Sequence, residues 1–339
     1  VTNSAPSKTP ISAIEIGLGL KTGSGQKMNN TPLVSMGVPV YNGERSLART
    51  LDCLLGQTYQ NIELILSDNA STDATAQICQ EYCARDHRIR YVRQEKNLGL
   101  PGNWTYVAEQ ATGEFFMWAA ADDHWEPEFV EVLVNKLLAE PEAILAFCPY
   151  RLFNRETQEY EGEPVIEDYG HRHALVRIYK LTRQLLDRSN HALIRHQRAK
   201  DIEYKLWLFP KITTVYNVAF PSLYFLAAKG NFVLASLDKP LWRKTMTSKP
   251  AHDVPQHARH PGLTYLGHVI RKVHLFFRSL AYIRRGADSY LFMLACVPIL
   301  LARMAHDIVV PVWVVLKVLV SGRKMKDLSP HDFWKMGVR

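Results

Sequence analysis

Cysteine is scarce in this 339-residue chain, with five at positions 53, 79, 83, 148 and 296. The number is odd, and only Cys79 and Cys83 lie close together, at helix spacing. They supply neither a disulfide framework nor the spacing of a structural zinc site, so a reducing compartment is the expectation. Long apolar runs are missing as well. Tyr290 to Leu301 and Ile308 to Val320, of 12 and 13 residues, fall short of the roughly 20 residues that a membrane-crossing helix needs. Acidic residues are nearly absent from the last quarter. Residues 251–339 hold thirteen Lys/Arg against five Asp/Glu, which accounts for the whole formal charge of +8. Those basic residues alternate with apolar runs instead of forming a polar basic face, which argues against nucleic-acid binding. Residues 1–31 lack the basic start and apolar core of a signal peptide and read as a disordered arm rich in Ser, Thr, Gly, Asn and Lys. Gly17-Leu18-Gly19 and Gly23-Ser24-Gly25 have neither the spacing nor the following helix of a dinucleotide fingerprint.

From Pro32 onward the pattern is regular. Strands are expected over Leu33 to Val40, Ile62 to Leu66, Ile89 to Val92, Phe115 to Ala121 and Ile144 to Phe147. Helical spacing appears between them, at Leu47, Leu51, Leu54 and Leu55, at Ile78, Tyr82 and Cys83, at Trp104, Val107 and Ala108, and at Phe129, Leu133 and Leu137. Ser71 or Thr72 is placed to cap the second helix. Strands alternating with helices predict an α/β fold, a largely parallel sheet with helices on both faces. Phe115 to Ala121 carries no charge and runs into Asp122-Asp123. Ligands of open parallel sheets bind outside the carboxyl ends of the strands, so the pair is a candidate site. A hard divalent cation shared with phosphate oxygens would relieve the repulsion between the two carboxylates. Alternatively, Asp122 caps the helix that starts near Pro127 while Asp123 is solvated beside it.

Five spaced motifs then agree with one another. Pro39-Val40-Tyr41-Asn42-Gly43-Glu44, Gln57-Thr58-Tyr59, Ser67-Asp68-Asn69-Ala70-Ser71-Thr72-Asp73, Asn97-Leu98-Gly99 and Ala121-Asp122-Asp123 together resemble the family 2 glycosyltransferases, over about Thr31 to Phe153. The resemblance implies a GT-A-type mixed sheet and inverting transfer from a nucleotide-diphospho-sugar, with uridine or thymidine favoured. Pro39, Val40, Tyr41, Glu44, Asp68, Asn97 and Asp122 would line the nucleotide site, with Asp68 on the base and Asp122 on the ribose. Asp123 would hold Mg²⁺ or Mn²⁺, and Asp122 and Asp123 together would be the catalytic pair. Ala120 stands where relatives often carry a further Asp. The plainer readings are an Asx turn at Asp68 and a helix start at Asp73.

The resemblance fades beyond Phe153. The expected organisation is an arm over 1–31, a nucleotide-sugar half over 32–153, an acceptor half over 154–250 and a helical, membrane-associated region over 251–339. Family enzymes place a general base ahead of an apolar helix ending in Gly. Here that helix would be Phe220 to Lys229, and Asn217 stands upstream of it with no acid nearby, leaving Asp201 and Glu203 as weak candidates. Tyr204, Trp207 and Phe209 could stack on a sugar or simply pack. Val273, Phe276, Phe277, Leu280 and Ile283 are expected to lie opposite Arg271, Lys272, Arg278 and Arg284. The apolar runs that follow, with Arg323, Lys324 and Lys326, suit either the cytoplasmic face of a membrane bearing a glycan or lipid-linked acceptor, or a homodimer contact. A binding protein on the same scaffold that has lost turnover is the competing function.

Overall fold

The computed structural model describes residues 31–166, 169–184, 192–196, 220–235, 239–246, 261–287 and 289–320. Among these, seven strands form the main sheet. β1 (Val34–Val40), β2 (Ile62–Asp68), β3 (Ile89–Arg93), β4 (Phe115–Trp118) and β6 (Ala143–Phe147) are joined by β9 (Leu193–Arg195) and β10 (Asn231–Leu234), in the order β10-β6-β9-β4-β1-β2-β3. β1 pairs in parallel with both β2 and β4. β9 is antiparallel to β4 and β6, which makes the sheet mixed. Every residue of β1 is buried, as expected of a strand covered on both faces.

The side chains of the main sheet feed two cores. On one face Val34, Met36, Val38 and Val40 pack with α1 (Leu47–Leu55) and α4 (Phe129–Ala139). Phe116, Trp118 and Ile144 face the other way, toward α3 (Gly99–Glu109), α5 (Ala174–Gln184) and α6 (Phe220–Lys229). α2 (Thr75–Arg85) lies between β2 and β3 in sequence. α3 approaches β1 so closely that a Cβ on Gly37 would stand 2.7 Å from Val107 Cγ2, leaving no room there for a larger residue. α6 leads through Gly230 into β10, as its sequence implies.

A second sheet, β5-β11-β7-β8, was not legible in the sequence. It consists of β5 (His124–Trp125), β11 (Trp242–Met246), β7 (Tyr150–Asn154) and β8 (Glu159–Val165). β11 is antiparallel to β5 and parallel to β7. The acidic stretch that includes Glu159, Glu161 and Glu163 is largely the exposed strand β8.

Several local expectations change. The β4 ladder stops at Trp118, extended by Ala119 N–H donating to Gly37 O, and Ala120 to Asp123 form a turn closed by Asp123 N–H on Ala120 O. α4 is preceded by β5 and by Glu128 at its N-cap, so Asp122 caps no helix. Neither Ser71 nor Thr72 caps α2. Ser71 Oγ accepts from Asn42 N–H instead, and Asp73 Oδ1 receives Thr75 N–H. In α5, Ile178 and Leu181 are core, but Leu175 faces out and Arg177 is buried. The Arg177 guanidinium donates to the carbonyls of Ala227, His171 and Arg172, so it serves the last turn of α6, where a cation is favoured.

The C-terminal helices are α7 (Pro261–Ala287) and α8 (Tyr290–Val320). The polarity expected of α7 is partly inverted, with Phe277 exposed and Arg278 buried. α7 meets α6 at Gly286, where a Cβ would lie 2.5 Å from Phe225 O. α8 is one helix of 31 residues running through both apolar stretches. No helix among the described residues is long and apolar enough to cross a membrane.

Candidate functional site

The nominated residues gather at the carboxyl ends of β1, β2 and β4. Two loops, β1–α1 and β2–α2, are laced together there. Asn42 N–H donates to Ser71 Oγ at 2.9 Å, Gly43 N–H to Thr75 Oγ1 at 2.8 Å and Glu44 N–H to Asp73 Oδ2 at 3.1 Å. In return, Thr72 N–H reaches Asn42 Oδ1 and Ala74 N–H reaches Glu44 Oε2. Asn42 and Ala70 sit at φ 51° and 59°. Asn tolerates that region, whereas Ala70 stores strain of roughly 1–3 kcal/mol, a feature that clusters at ligand sites. Pro39 and Val40 are buried beneath these loops, and Tyr41 projects half-exposed beside them.

Asp68 ends β2 with no exposed side-chain surface. Its Oδ1 accepts Ser71 N–H at 2.9 Å, and its Oδ2 faces Tyr91 Oη at 3.4 Å and Arg93 Nε at 3.6 Å. The turn reading is thus realised, and Arg93 covers the carboxylate. Asn97 Oδ1 accepts from Asn69 Nδ2 and from Gly99 N–H, while Asn69 Oδ1 accepts Leu98 N–H. Asn97 therefore fixes the loop entering α3.

Asn103 escaped the sequence reading and is central here. It is buried on α3, donates Nδ2 to Ser67 O at 3.0 Å and Val40 O at 3.4 Å, and accepts Ser67 Oγ–H at 2.6 Å. One side chain thus ties the ends of β1 and β2. Its only sequence signal is a polar residue on the apolar face of an otherwise ordinary helix.

The two members of the acid pair differ sharply. Asp123 is 1% exposed. Its Oδ1 accepts Thr245 N–H at 2.8 Å, its Oδ2 accepts the Trp242 indole N–H at 3.2 Å, and its carbonyl accepts Thr50 Oγ1–H. Burial pushes its carboxyl up to about 7, Lys244 acting against the rise and Asp122 adding to it. Asp122 keeps 41% of its side chain exposed and meets Arg155 at 3.6 Å, while its carbonyl accepts Thr245 Oγ1–H. Asp123, the residue expected to hold the cation, is thus the buried member of the pair and Asp122 the exposed one. Both oxygens of Asp123 serve β11, and Asp122 is the carboxylate open to a ligand.

Among the described residues no three His, Cys, Asp or Glu side chains cluster as a ready-made metal site. A hard cation that takes most of its oxygens from phosphate and water needs only one or two carboxylates, and Asp122 fits that requirement. Trp242, Thr245 and Lys244 lie some 120 positions from the pair, beyond the motif-bearing stretch, and no local pattern announced them. Asp201, Glu203, Asn217, Tyr204, Trp207, Phe209, Arg323, Lys324 and Lys326 lie outside the described residues, as do residues 1–30 of the arm over 1–31.

Residues 35–203 match the sequence model described as glycosyl transferase family 2. Glycosyltransferase GlyA of Streptococcus pneumoniae is 39% identical over 117 residues, 34% of this chain and 16% of that protein. Putative glycosyltransferase EpsH of Bacillus subtilis is 34% identical over 139 residues, 41% of this chain and 40% of the relative. The matches thus span less than half the length of either protein. S. aureus TarS 1-349, solved in complex with UDP-GlcNAc, superposes with a TM-score of 0.51 at 19% identity, covering 75% of this chain and 72% of that one. Its complex with UDP gives 0.50 over 76% and 72%. At that identity the likeness speaks for the fold, while the family rests on the motif-bearing half: the chain belongs to glycosyl transferase family 2 and has a GT-A fold.

Proposed function

We propose that this protein is a glycosyltransferase that moves a sugar from a nucleotide diphosphate to a glycan or lipid-linked acceptor, with inversion as the family resemblance implies. The observation that carries the reading is the exposed Asp122 carboxylate beside the laced ends of β1 and β2. Tyr41 offers a half-exposed ring for a base, and Asn103, Asn97 and Asp68 hold the floor and walls in place. Asp122 is the ligand for Mg²⁺ or Mn²⁺, and Asp123 positions it by anchoring β11. When bound, such an ion stabilises charge on the departing diphosphate. Arg155, already beside Asp122, is placed to exchange that carboxylate for a phosphate oxygen.

Uridine and thymidine diphosphate sugars are the donors we favour, supported by the two TarS complexes that share this fold. Asp68 would act on the base through the loop it closes, or directly once Arg93 moves aside. No residue is assigned as proton acceptor for the incoming hydroxyl, for which Asp201 and Glu203 are the candidates the sequence offers. Incubation with a panel of nucleotide sugars and Mn²⁺ tests the reading. Release of nucleoside diphosphate with at least one donor is expected, and binding without release from any would favour a scaffold that has lost turnover.

The C-terminal helices supply a second element. Tyr290, Leu291, Leu294, Leu301 and Val309 are exposed along α8, and Phe277 along α7. Spaced three, seven and eight apart from Leu291 onward, the α8 side chains follow one face of the helix. With Arg285 exposed nearby, that face suits the interfacial zone of an anionic bilayer on its cytoplasmic side.

A further inference from the structure

Two guanidinium groups stand side by side on the small sheet. β11 runs parallel to β7 with Arg243 in register with Arg151, and on its other edge Arg243 is in register with His124 of β5. Partners in register present side chains to one face, so His124, Arg243 and Arg151 form a row across three strands. Trp242 and Tyr150, one position back on each strand, are buried on the opposite face and belong to the core.

The row is supported from beneath by rings. Arg243 lies over Phe153 at 4.6 Å and Arg151 over Tyr160 at 4.1 Å, and the two rings meet edge to face at 5.5 Å. Nε of both guanidiniums is buried without a hydrogen-bond partner, and among the described residues neither arginine has an ion-pair partner. His124 closes the row at the β5 edge, where its Nδ1 meets Cys53 Sγ at 2.7 Å. Like charges opposite one another on neighbouring strands repel, and aromatic stacking fixes the two forks without neutralising them. A tetrahedral oxyanion between them would remove the repulsion and accept their planar forks.

The row is close to the donor end yet separate from its anchors. Arg155 is the arginine that touches Asp122, whereas Thr245, two residues past Arg243, binds the Asp122 carbonyl. We propose that Arg151 and Arg243 form an anion subsite for a phosphate-bearing group, presented by the acceptor or by a lipid headgroup next to it. The acceptor part of this statement rests on the glycosyltransferase reading, whereas the anion subsite does not.

The experiment is calorimetric titration of the full chain with glycerol 3-phosphate, in the presence and absence of UDP with Mg²⁺. The native protein should bind under both conditions. Arg151→Gln and Arg243→Gln should each weaken binding at least tenfold, and Arg243→Lys should recover part of it, since charge is kept and the fork lost. UDP affinity should stay within twofold in all variants, with unchanged melting temperatures as the control for folding. Vesicles of phosphatidylglycerol and of phosphatidylcholine separate the two sources. Loss of the preference for phosphatidylglycerol in the Gln variants assigns the subsite to headgroups, and retention assigns it to the acceptor. Absent native binding, or variants that bind as well as the native protein, would overturn the subsite. So would a parallel loss of UDP affinity, because the arginines would then belong to the donor site. A native protein that binds glycerol 3-phosphate but no nucleoside diphosphate would leave the subsite standing and remove the glycosyltransferase reading instead.

Discussion

The Trp242 indole N–H donates to Asp123 Oδ2 at 3.2 Å, joining residues 119 positions apart. Together with Thr245 N–H on Oδ1, it commits the second acid of the pair to holding β11. Asp123→Ala should therefore act first on stability. It strands two buried donors, each costing about 1–3 kcal/mol, and should lower the melting temperature by several degrees. Scanning calorimetry checks this, and an unchanged melting temperature would release Asp123 from its structural role.

Asn103→Ala removes the side chain that bridges the carbonyls of Val40 and Ser67. Buried hydrogen-bonding groups left unpaired should cost about 1–3 kcal/mol. Because those carbonyls end β1 and β2, affinity for nucleoside diphosphate should fall as well. Urea denaturation and a binding titration of the same variant would show both losses, and a stable variant with native affinity would refute the assignment.

Gly286 allows α7 to lie against α6. A Cβ there would stand 2.5 Å from Phe225 O and 2.9 Å from Ala228 Cβ, both poorly able to move. Gly286→Ala should destabilise by roughly 1–3 kcal/mol despite the gain in helix propensity. A stabilised variant in thermal denaturation would contradict this packing.

Glu63 gives a pH signature. Burial pushes its carboxyl up, but hydrogen bonds from Ser35 and from Thr112, with Arg90 alongside, outweigh it and leave the pKa below the ordinary 4.5. A depressed folded-state pKa adds stability that is present above the unfolded value and disappears as pH falls through the folded one. Glu63→Gln should thus destabilise more at pH 7 than near pH 3.5, read as the shift in urea midpoint at each pH. Equal shifts would show that the carboxylate charge contributes nothing.

The exposed face of α8 predicts sedimentation with anionic vesicles, weakened by salt without being abolished, since screening acts on charge and not on apolar insertion. Leu291→Lys with Leu294→Lys should release the protein. A native protein that ignores vesicles but forms a dimer disrupted by the same changes would assign the face to a second copy.

The parallel strands were legible because they are buried on both faces and read as uninterrupted apolar runs, and their ends located the acid pair. What the sequence did not disclose is non-local. β5 is two residues long and β9 three, too short for any periodicity, and β11 enters the site from far along the chain. The roles within Asp122-Asp123 depend on which carboxylate Trp242 and Thr245 engage, and neither residue belongs to a motif. Arg278 defeated the reading of α7 as an amphipathic helix because a buried guanidinium looks, in sequence, like a solvated one.

The central claim is that Asp122 supplies the metal-binding carboxylate of a nucleotide-diphosphate site. Its most direct test is the UDP-induced rise in melting temperature, measured with and without Mn²⁺ for the native protein and for Asp122→Ala. At one hundred times its dissociation constant a ligand adds about 2.7 kcal/mol, enough for a shift of several degrees. The native protein should show that shift only with Mn²⁺, and Asp122→Ala should fold normally and lose it. An equal Mn²⁺-dependent shift in Asp122→Ala would contradict the account.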